Sequence, residues 1–579
     1  MQVVHRPALW SCILVGFVLT LPSRSFARTF HVNGSSSSAS DFGSGSQTSP
    51  WRTLSRAATV ARAGDVVIVH NGDYRQEDTG WGRGVIPFKR SGTVNAPITF
   101  RAAPGADKVL VANFILENAR WLSISGFRFT NPNYKRPANW REMPLTVVDQ
   151  PKIVIDPQED WTTREAKVAK KYATYLSIKK ALEYDTGIDL RGGSHISITN
   201  SFFEGYWAGI QCKGCSNVSI DRNEIRECVN GIYTWQPAPA LVDSHISHNT
   251  FEQNFEHAID IREGSRNVLV NSNVIKYSGI SHITLINGVE QSTVQSNRAI
   301  SGGFYSETMS YPGSSAINVH TSGKGIVVER NLAAFQVDPT NVDGNGFIVD
   351  LMNDGHGVLL RNNIAFRNEG AGLNTTISPN CQIINNAFVE NGFGSTSPRR
   401  GAGIKLSRDQ DVGQTIVNNI FVNNADSGIL TYKLMDKQKT VDHNLYFSTS
   451  NLQKHLIWDG YDAGDREYDS LAAVQQQLGL EAGGKVGDPK FLNVEDLDFL
   501  LLPESAAIDA GMKVGSVVAD LSGRERDGPF DIGPLEFTNV IPRSRRVRTN
   551  RQDVKKKSTT DSEKSKNEES VETATSEEN

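Results

Sequence analysis

An all-β solenoid, specifically a single-stranded parallel β-helix, is the fold class this chain predicts, on three observations. Ten asparagines recur along its middle: Asn200, Asn223, Asn249, Asn273, Asn297, Asn331, Asn363, Asn386, Asn419 and Asn444, each followed two positions later by an apolar or small residue. Their intervals are 23, 26, 24, 24, 34, 32, 23, 33 and 25 residues, one period near two dozen with about ten residues added at three points. A fixed period with local insertions marks stacked repeats. Each repeat also shares one grammar: a β-branched run (VSIDRN, VLVNSN, IVVERN, VLLRNN) and, a few residues on, a small residue opening a second run (GIQCK, GIYTW, AIDIR, AINVH, GIKLS). An antiparallel all-β fold competes, but its strands are more closely spaced and its two-residue hairpins usually carry glycine.

Asparagine suits such a corner because it tolerates the left-handed conformation and bonds its own backbone. Stacked coils are expected to set these side chains in a ladder, each amide bonding the next. A length of 579 residues would ordinarily imply several domains, but a solenoid is one extended body. Hydrophobic content of 38%, 50 glycines and 21% charged residues suit a narrow apolar core wrapped in many turns. The net charge of −4 gives no reason to expect a nucleic-acid partner. A monomer is expected.

Taken in order, the chain opens with MQVVHRP, the apolar run ALWSCILVGFVLTL and PSRSFA. This is the pattern of a secretory signal cut after Ala27, its apolar run short for a membrane span, so a secreted, periplasmic or envelope location is expected. Phe30 to Val32 reads as a strand, and Ser49 with Pro50 opens an amphipathic helix closed by Gly64. That helix would plug the open end of the solenoid. Between LSISGFRFTN and GIDLRGG an insertion carries a capping-box pair, Thr162 and Glu165, and predicts a helix over 163–184 with a solvated lysine face. The expected organisation is a signal segment over 1–27, a cap and first coils over 28–110, the β-helix over 111–447 with an insertion at 132–187, terminal coils over 448–540, and a disordered charged tail over 541–579. That tail holds RSRRVRTNRQDVKKK before an acidic end, and binding to an anionic wall polymer is its alternative reading.

The stretch GSGSQTSPWRTLSRAATVARAGDVVIVHNGDYR resembles the opening of secreted right-handed β-helix proteins of the pectate-lyase-like superfamily, polysaccharide lyase family 9 among them. FLLLPESAAIDAG and DLSGRERDGPFDIGPLEF resemble their terminal segment, and with the repeats between, the resemblance spans roughly residues 29 to 537. It implies a polysaccharide ligand or substrate and, in the lyases, Ca²⁺ that neutralises a uronate carboxylate so that the neighbouring C–H becomes acidic. The lysine base of family 9 has no match here, and the DPHD signature of mannuronan epimerases is absent, the nearest string being DPQED at Asp156 to Asp160.

Cys212, Cys215, Cys228 and Cys381 remain after the signal and read as packed thiols or one disulfide, Cys215 with Cys228, rather than a zinc site. Aligning the second runs gives two outward columns. One reads Gln211, Tyr233, Asp260, Thr284, Asn318, Ile348, Asn374, Lys405, and the other Lys213, Trp235, Arg262, Ile286, His320, Asp350, Thr376, Ser407. Aromatic faces stack on sugar rings while arginines and amides meet carboxylates and hydroxyls, so Tyr233, Trp235, Asp260, Asn318 and Asn374 are the expected substrate contacts. His320 is the expected general base beside Asp350, with Arg262 or Lys405 as alternates; a surface histidine beside a surface aspartate explains the pair equally well. Asp343, Asp350 and Asp354 are candidate Ca²⁺ ligands, or polar turn residues bonding their own backbone. Asp260 and Asp350 lie three coils apart, roughly 14 Å at the ordinary strand spacing, too far for a glycosidase pair. The function expected is a polysaccharide lyase acting by β-elimination on a uronate-containing chain, the alternative being a glycan-binding or envelope β-helix without catalysis.

Overall fold

In the computed structural model the described residues are 27–136, 173–304, 314–338, 342–352, 354–392, 401–432, 435–449, 453–460 and 465–539. The signal segment, the capping-box pair Thr162 and Glu165, and the charged tail lie outside them. The chain divides into Met1–Phe537 and Thr538–Asn579. The first unit is a right-handed parallel β-helix of three sheets, each with fourteen strands.

Sheet 1 begins at Thr29–Val32 and ends at Thr440–Asp442; sheet 2 runs from Gly72–Asp73 to Lys485–Val486; sheet 3 runs from Val85–Phe88 to Arg466–Tyr468. Each coil visits them in that order, and pairing is parallel except where His455–Asp459 meets Arg466–Tyr468. Period-two alternation puts β-branched residues inside. Along sheet 3 the inward column stacks Ile188, Ile210, Ile232, Ile259, Ile283 and Ile317 in strict register, all essentially buried. Each such side chain contributes about 1.5 to 3 kcal/mol by leaving water.

The ladder is present, with its corner assigned differently. Asn223 donates its side-chain amide to Asn249 Oδ1 at 3.0 Å, and the relay continues through Asn273, Asn297, Asn331, Asn363, Asn386 and Asn419 to Asn444. Asn200 is not a rung: Ser201 takes that place, donating its backbone N–H to Asn223 Oδ1. The left-handed residue is the one before each rung, with φ of 54° at Arg222, 57° at Arg330 and 49° at Asn200. The ladder asparagine therefore supports its neighbour's turn rather than making it. A second ladder, unanticipated, runs through Gln336, Asn368, Asn391, Asn424 and Gln453 at the exit from sheet 2.

Other expectations are corrected. The cap helix is Leu54–Val60, with Thr53 accepting from Arg56 N–H, because Ser49 and Pro50 are used in the turn before it. In the insertion the described helix is Ala173–Ala181, and its Lys179 is not solvated: it pairs with Glu256 at 2.5 Å and lies 5.3 Å from the Trp207 ring. The four described cysteines, Cys212, Cys215, Cys228 and Cys381, are free and buried. Cys215 opens a strand of sheet 1 while Cys228 follows one of sheet 2, so the two occupy different corners. The terminal segment covers the outer face of sheet 2, where Phe499, Leu501, Ile532 and Leu535 pack on Ile364, Phe366, Val389 and Ile420.

The first ladder ends on Glu481, which accepts the Asn444 side-chain amide at 2.7 Å and backbone N–H at 3.1 Å, and the Tyr446 hydroxyl at 2.7 Å. Burial pushes its carboxyl up to about 7 against the opposition of those donors. The folded chain thus holds a proton that the unfolded chain releases from about pH 4.5 upward, so Glu481 favours folding below that window and stability falls as pH rises through it. Gln453 ends the second ladder with a neutral amide in the same role. Glu481→Gln is expected to flatten the wild-type loss of melting temperature between pH 5 and pH 8, removing a difference on the order of 3 kcal/mol; identical slopes in the two proteins would refute it.

Candidate functional site

Sheet 3 aligns the first outward column throughout and the second in part, the pairs of Trp235 with Arg262, Arg262 with Ile286 and Thr376 with Ser407 lying beyond the paired strand ends. Gln211, Tyr233, Asp260, Thr284, Asn318, Ile348, Asn374 and Lys405 are consecutive strand partners, and His320 pairs with Asp350 and Asp350 with Thr376. The columns also extend upstream to Asp189 and Arg191, which pair with Gln211 and Lys213. That extension was available in GIDLRGG, which repeats the GIQCK grammar, but the insertion before it hid the period.

The face is more closed than an open groove. Asp260 is fully buried and Thr284 and Asn374 nearly so. Asp260 Oδ2 accepts Arg262 Nε at 2.7 Å, while its Oδ1 has no hydrogen-bond partner. Burial opposes the Arg262 charge, but Asp260 and Tyr233 outweigh it and hold the guanidinium more firmly protonated than usual. The guanidinium carbon sits 5.4 Å from the Tyr233 ring centre, and Tyr233 stacks on Trp235 at 5.8 Å and 18°. Trp235, 40% exposed, is the outer edge of this shelf. Arginine, tyrosine and tryptophan thus form one layered unit anchored on a buried carboxylate.

His320 Nε2 lies 3.8 Å from Asp350 Oδ2, beyond hydrogen-bond reach, and its Nδ1 is 3.0 Å from Thr321 Oγ1. Thr321, rather than Asp350, orients the imidazole. Burial, then the positive charge of Arg262, lowers the His320 pKa and keeps the ring neutral near pH 7. Burial, with Asp411 second, pushes the Asp350 carboxyl up to about 6, and Asp350 Oδ1 is unpartnered. Asn318 Oδ1 is a further unpartnered acceptor on this face. Asn374 Oδ1 accepts the Ser407 hydroxyl, and Lys405 sits one strand beyond Asn374, two beyond the coil of Asp350. His257, not anticipated, lies 3.4 Å from Thr284 Oγ1 and is kept neutral by burial.

The three proposed cation ligands do not converge. Asp343 precedes the strand Phe347–Asp350 and takes the Asn345 amide at 3.3 Å, whereas Asp354 follows it, is exposed, and accepts His356 N–H at 3.1 Å. Among the described residues no three side chains of His, Cys, Asp or Glu are grouped to hold a metal ion. Among the described residues, Asp343, Asp350 and Asp354 are therefore not grouped as a calcium site.

The family described as right handed beta helix region matches residues 172–299 and 304–445. The chain is 21% identical over 557 residues to a lacto-N-biosidase of Bifidobacterium longum subsp. longum, covering 86% of this chain and 33% of that protein. It thus spans about a third of that relative's length. Among solved structures it is similar to a GH136 lacto-N-biosidase from Eubacterium ramulus (TM-score 0.46, 12% identity, 68% of each chain) and to pectate lyase Pel9A (TM-score 0.44, 13% identity, 89% of this chain and 97% of that one). The described residues form a right-handed parallel β-helix, as that family model describes.

Because Arg262 is the cation paired with buried Asp260, Arg262→Leu is expected to cost about 3 to 5 kcal/mol of stability. The double change Asp260→Leu with Arg262→Leu should recover most of that loss, read by chemical denaturation. A single variant as stable as wild type would show that the pair is not a buried structural unit.

Proposed function

We propose that this protein is a glycan-active enzyme working outside the cytoplasm, a lyase that cleaves a uronate-containing polysaccharide by β-elimination. One observation carries the reading: an imidazole kept neutral stands on the same face as a guanidinium whose charge reaches it, beside a carboxyl pushed up to about 6. In this reading Arg262 spends Nε and one Nη on Asp260 and offers the other Nη to the uronate carboxylate. Neutralising that carboxylate acidifies the C–H next to it. His320 Nε2 takes the proton, in the tautomer whose Nδ1–H donates to Thr321, and the electron pair forms a carbon–carbon double bond as the glycosidic C–O bond on the adjacent carbon breaks. Asp350 returns a proton to the departing oxygen. The Trp235 and Tyr233 shelf holds a neighbouring sugar ring.

Hydrolysis is a second reading, favoured by the raised Asp350 carboxyl, which suits a general acid, and by the lacto-N-biosidase relative. Among the described residues it lacks a free second carboxylate at working distance. Asp260 is about 14 Å away by strand spacing, and Asp411 is engaged by the backbone N–H groups of Ser378 and Arg408.

Incubation with pectate, alginate, glycosaminoglycans and bacterial exopolysaccharides tests the reading. A lyase raises the ultraviolet absorbance of an unsaturated uronate; new reducing ends without that absorbance establish hydrolysis, and binding without either establishes a non-catalytic protein. His320→Ala should lower turnover by about 10² to 10⁴ with melting temperature and affinity nearly unchanged, while Trp235→Ala should weaken binding more than the chemical step. The rate should rise as His320 loses its proton, below pH 6.5, and fall as Asp350 loses its own near 6, giving a mildly acidic optimum. An optimum above pH 8 would remove Asp350 from the acid role.

A further inference from the structure

The second ladder is interrupted, and a histidine stands in the gap. One backbone bond marks its corner from coil to coil: Phe255 donates to the Cys228 carbonyl, Gly279 to Asn254, Gly303 to Ser278, Val337 to Gly302 and Glu369 to Gln336. The residue before each donor holds the rung position, so the series runs Asn254, Ser278, Gly302, Gln336, Asn368. Asn254 accepts the Cys228 N–H at 3.2 Å as a rung does, and the relay resumes where Asn368 accepts the Gln336 N–H at 3.0 Å. Ser278 and Gly302 between them carry no amide.

His282 fills that space. Its Cε1 lies 2.3 Å from the point that a Cβ on Gly302 would occupy, so a side chain at that position would displace the ring. Nε2 donates to the Ile300 carbonyl at 3.3 Å, which makes Nδ1 a bare acceptor. Nδ1 has no hydrogen-bond partner, and neither have Ser278 Oγ and Gln336 Oε1, all three residues being fully buried. The Gln336 amide N–H is spent on the Ile280 carbonyl at 2.8 Å. We propose that His282 replaces the missing rung only while neutral, which makes the corner between sheets 2 and 3 an acid-sensitive joint that opens when the imidazole takes a proton.

The elements packed around the ring carry Glu256, His257, Asp260, Arg298, His320 and Asp338. None of them moves its pKa, which burial lowers to about 4 against the opposition of the Ile300 and Ser301 carbonyls. A second N–H would find at most one neutral acceptor, Gln336 Oε1, and a hydrogen bond of about 1 kcal/mol does not offset burying an unpaired charge. With the folded value below the ordinary 6.5, the open corner binds a proton that the closed one refuses. The closed form is therefore favoured above pH 6.5 and loses ground as pH falls toward 4. Between pH 7 and pH 5 the opening equilibrium should grow by about 20-fold. The next strand, Ile283–Ile286, sets Thr284 between Asp260 and Asn318 and pairs Ile286 with His320, so opening releases the register of the candidate face.

Hydrogen exchange of the full-length protein at pH 7 and pH 5, with labelling times scaled for the intrinsic pH dependence of amide exchange, tests the joint. The readout is local because Glu481 shifts global stability in the opposite direction. Peptides covering 278–286 and 298–304 should open about 20-fold more at pH 5, while the intact ladder at 382–391 keeps its protection. His282→Gln, neutral at both pH values, should bring the ratio close to one. Should that variant fail to fold, Gln336→Glu is the second: a carboxylate beside Nδ1 holds the imidazolium in the closed form and should also shrink the ratio. Equal protection of the wild-type corner at both pH values overturns the joint, as does a ratio that persists in His282→Gln or an acceleration shared by 382–391.

Discussion

Everything in this molecule depends on the stacking of amides at the corner between sheets 1 and 2. There a non-glycine residue, Arg222 or Arg330 among others, is held left-handed, at a cost of about 1 to 2 kcal/mol for a residue with a Cβ. The next residue offsets that cost. Its asparagine side chain accepts both the backbone N–H and the side-chain amide of the rung before, and gives its own amide to the rung after, as Asn331 does with Asn297 and Asn363. A rung removed leaves buried donors unpaired at about 1 to 3 kcal/mol each, so the stack is selected as a unit. It also needs ends. Ser201 supplies one with a backbone N–H, and Glu481 the other with a carboxyl group.

A ladder of this kind fixes register, and register makes a surface. Because each coil is locked at the same corner, residues scattered over two hundred positions become strand neighbours on sheet 3, and Asp189, Tyr233, Asp260 and Asn318 fall on one line. Extra length leaves at another corner. The long connections between Thr130 and Thr186, Gly302 and Ile317, and Val389 and Ala402 all run from sheet 2 to sheet 3.

Burial then decides the chemistry of that face. The outer side of sheet 2 is closed by the terminal segment through apolar packing. Sheet 3 instead buries polar groups, which leaves acceptors on Asp260, Asn318 and Asp350 unmatched within the protein. The same partial burial lowers the His320 pKa and raises that of Asp350. Unmatched acceptors and two titrating groups brought toward each other are what a polar ligand would complete.

The fold was legible in the sequence because its signals are local and repeated. Period-two alternation, the two-dozen spacing and the small residue opening each second run survive insertions, and they predicted the sheet 3 register from Gln211 to Lys405. What a repeat cannot encode is how one corner divides its labour. That Asn200 occupies the turn while Asn223 is a rung, or that Glu481, 37 residues past Asn444, ends the stack, depends on contacts between coils. The candidate site shows the same division. Its columns followed from alternation, but the withdrawal of Asp260 behind Arg262, the 3.8 Å gap that gives the orientation of His320 to Thr321, and the dispersal of Asp343 and Asp354 to opposite ends of a strand all required the packed structure. Strand period is a property of the backbone and is written along the chain, whereas burial and charge pairing arise only when distant segments share one dielectric environment.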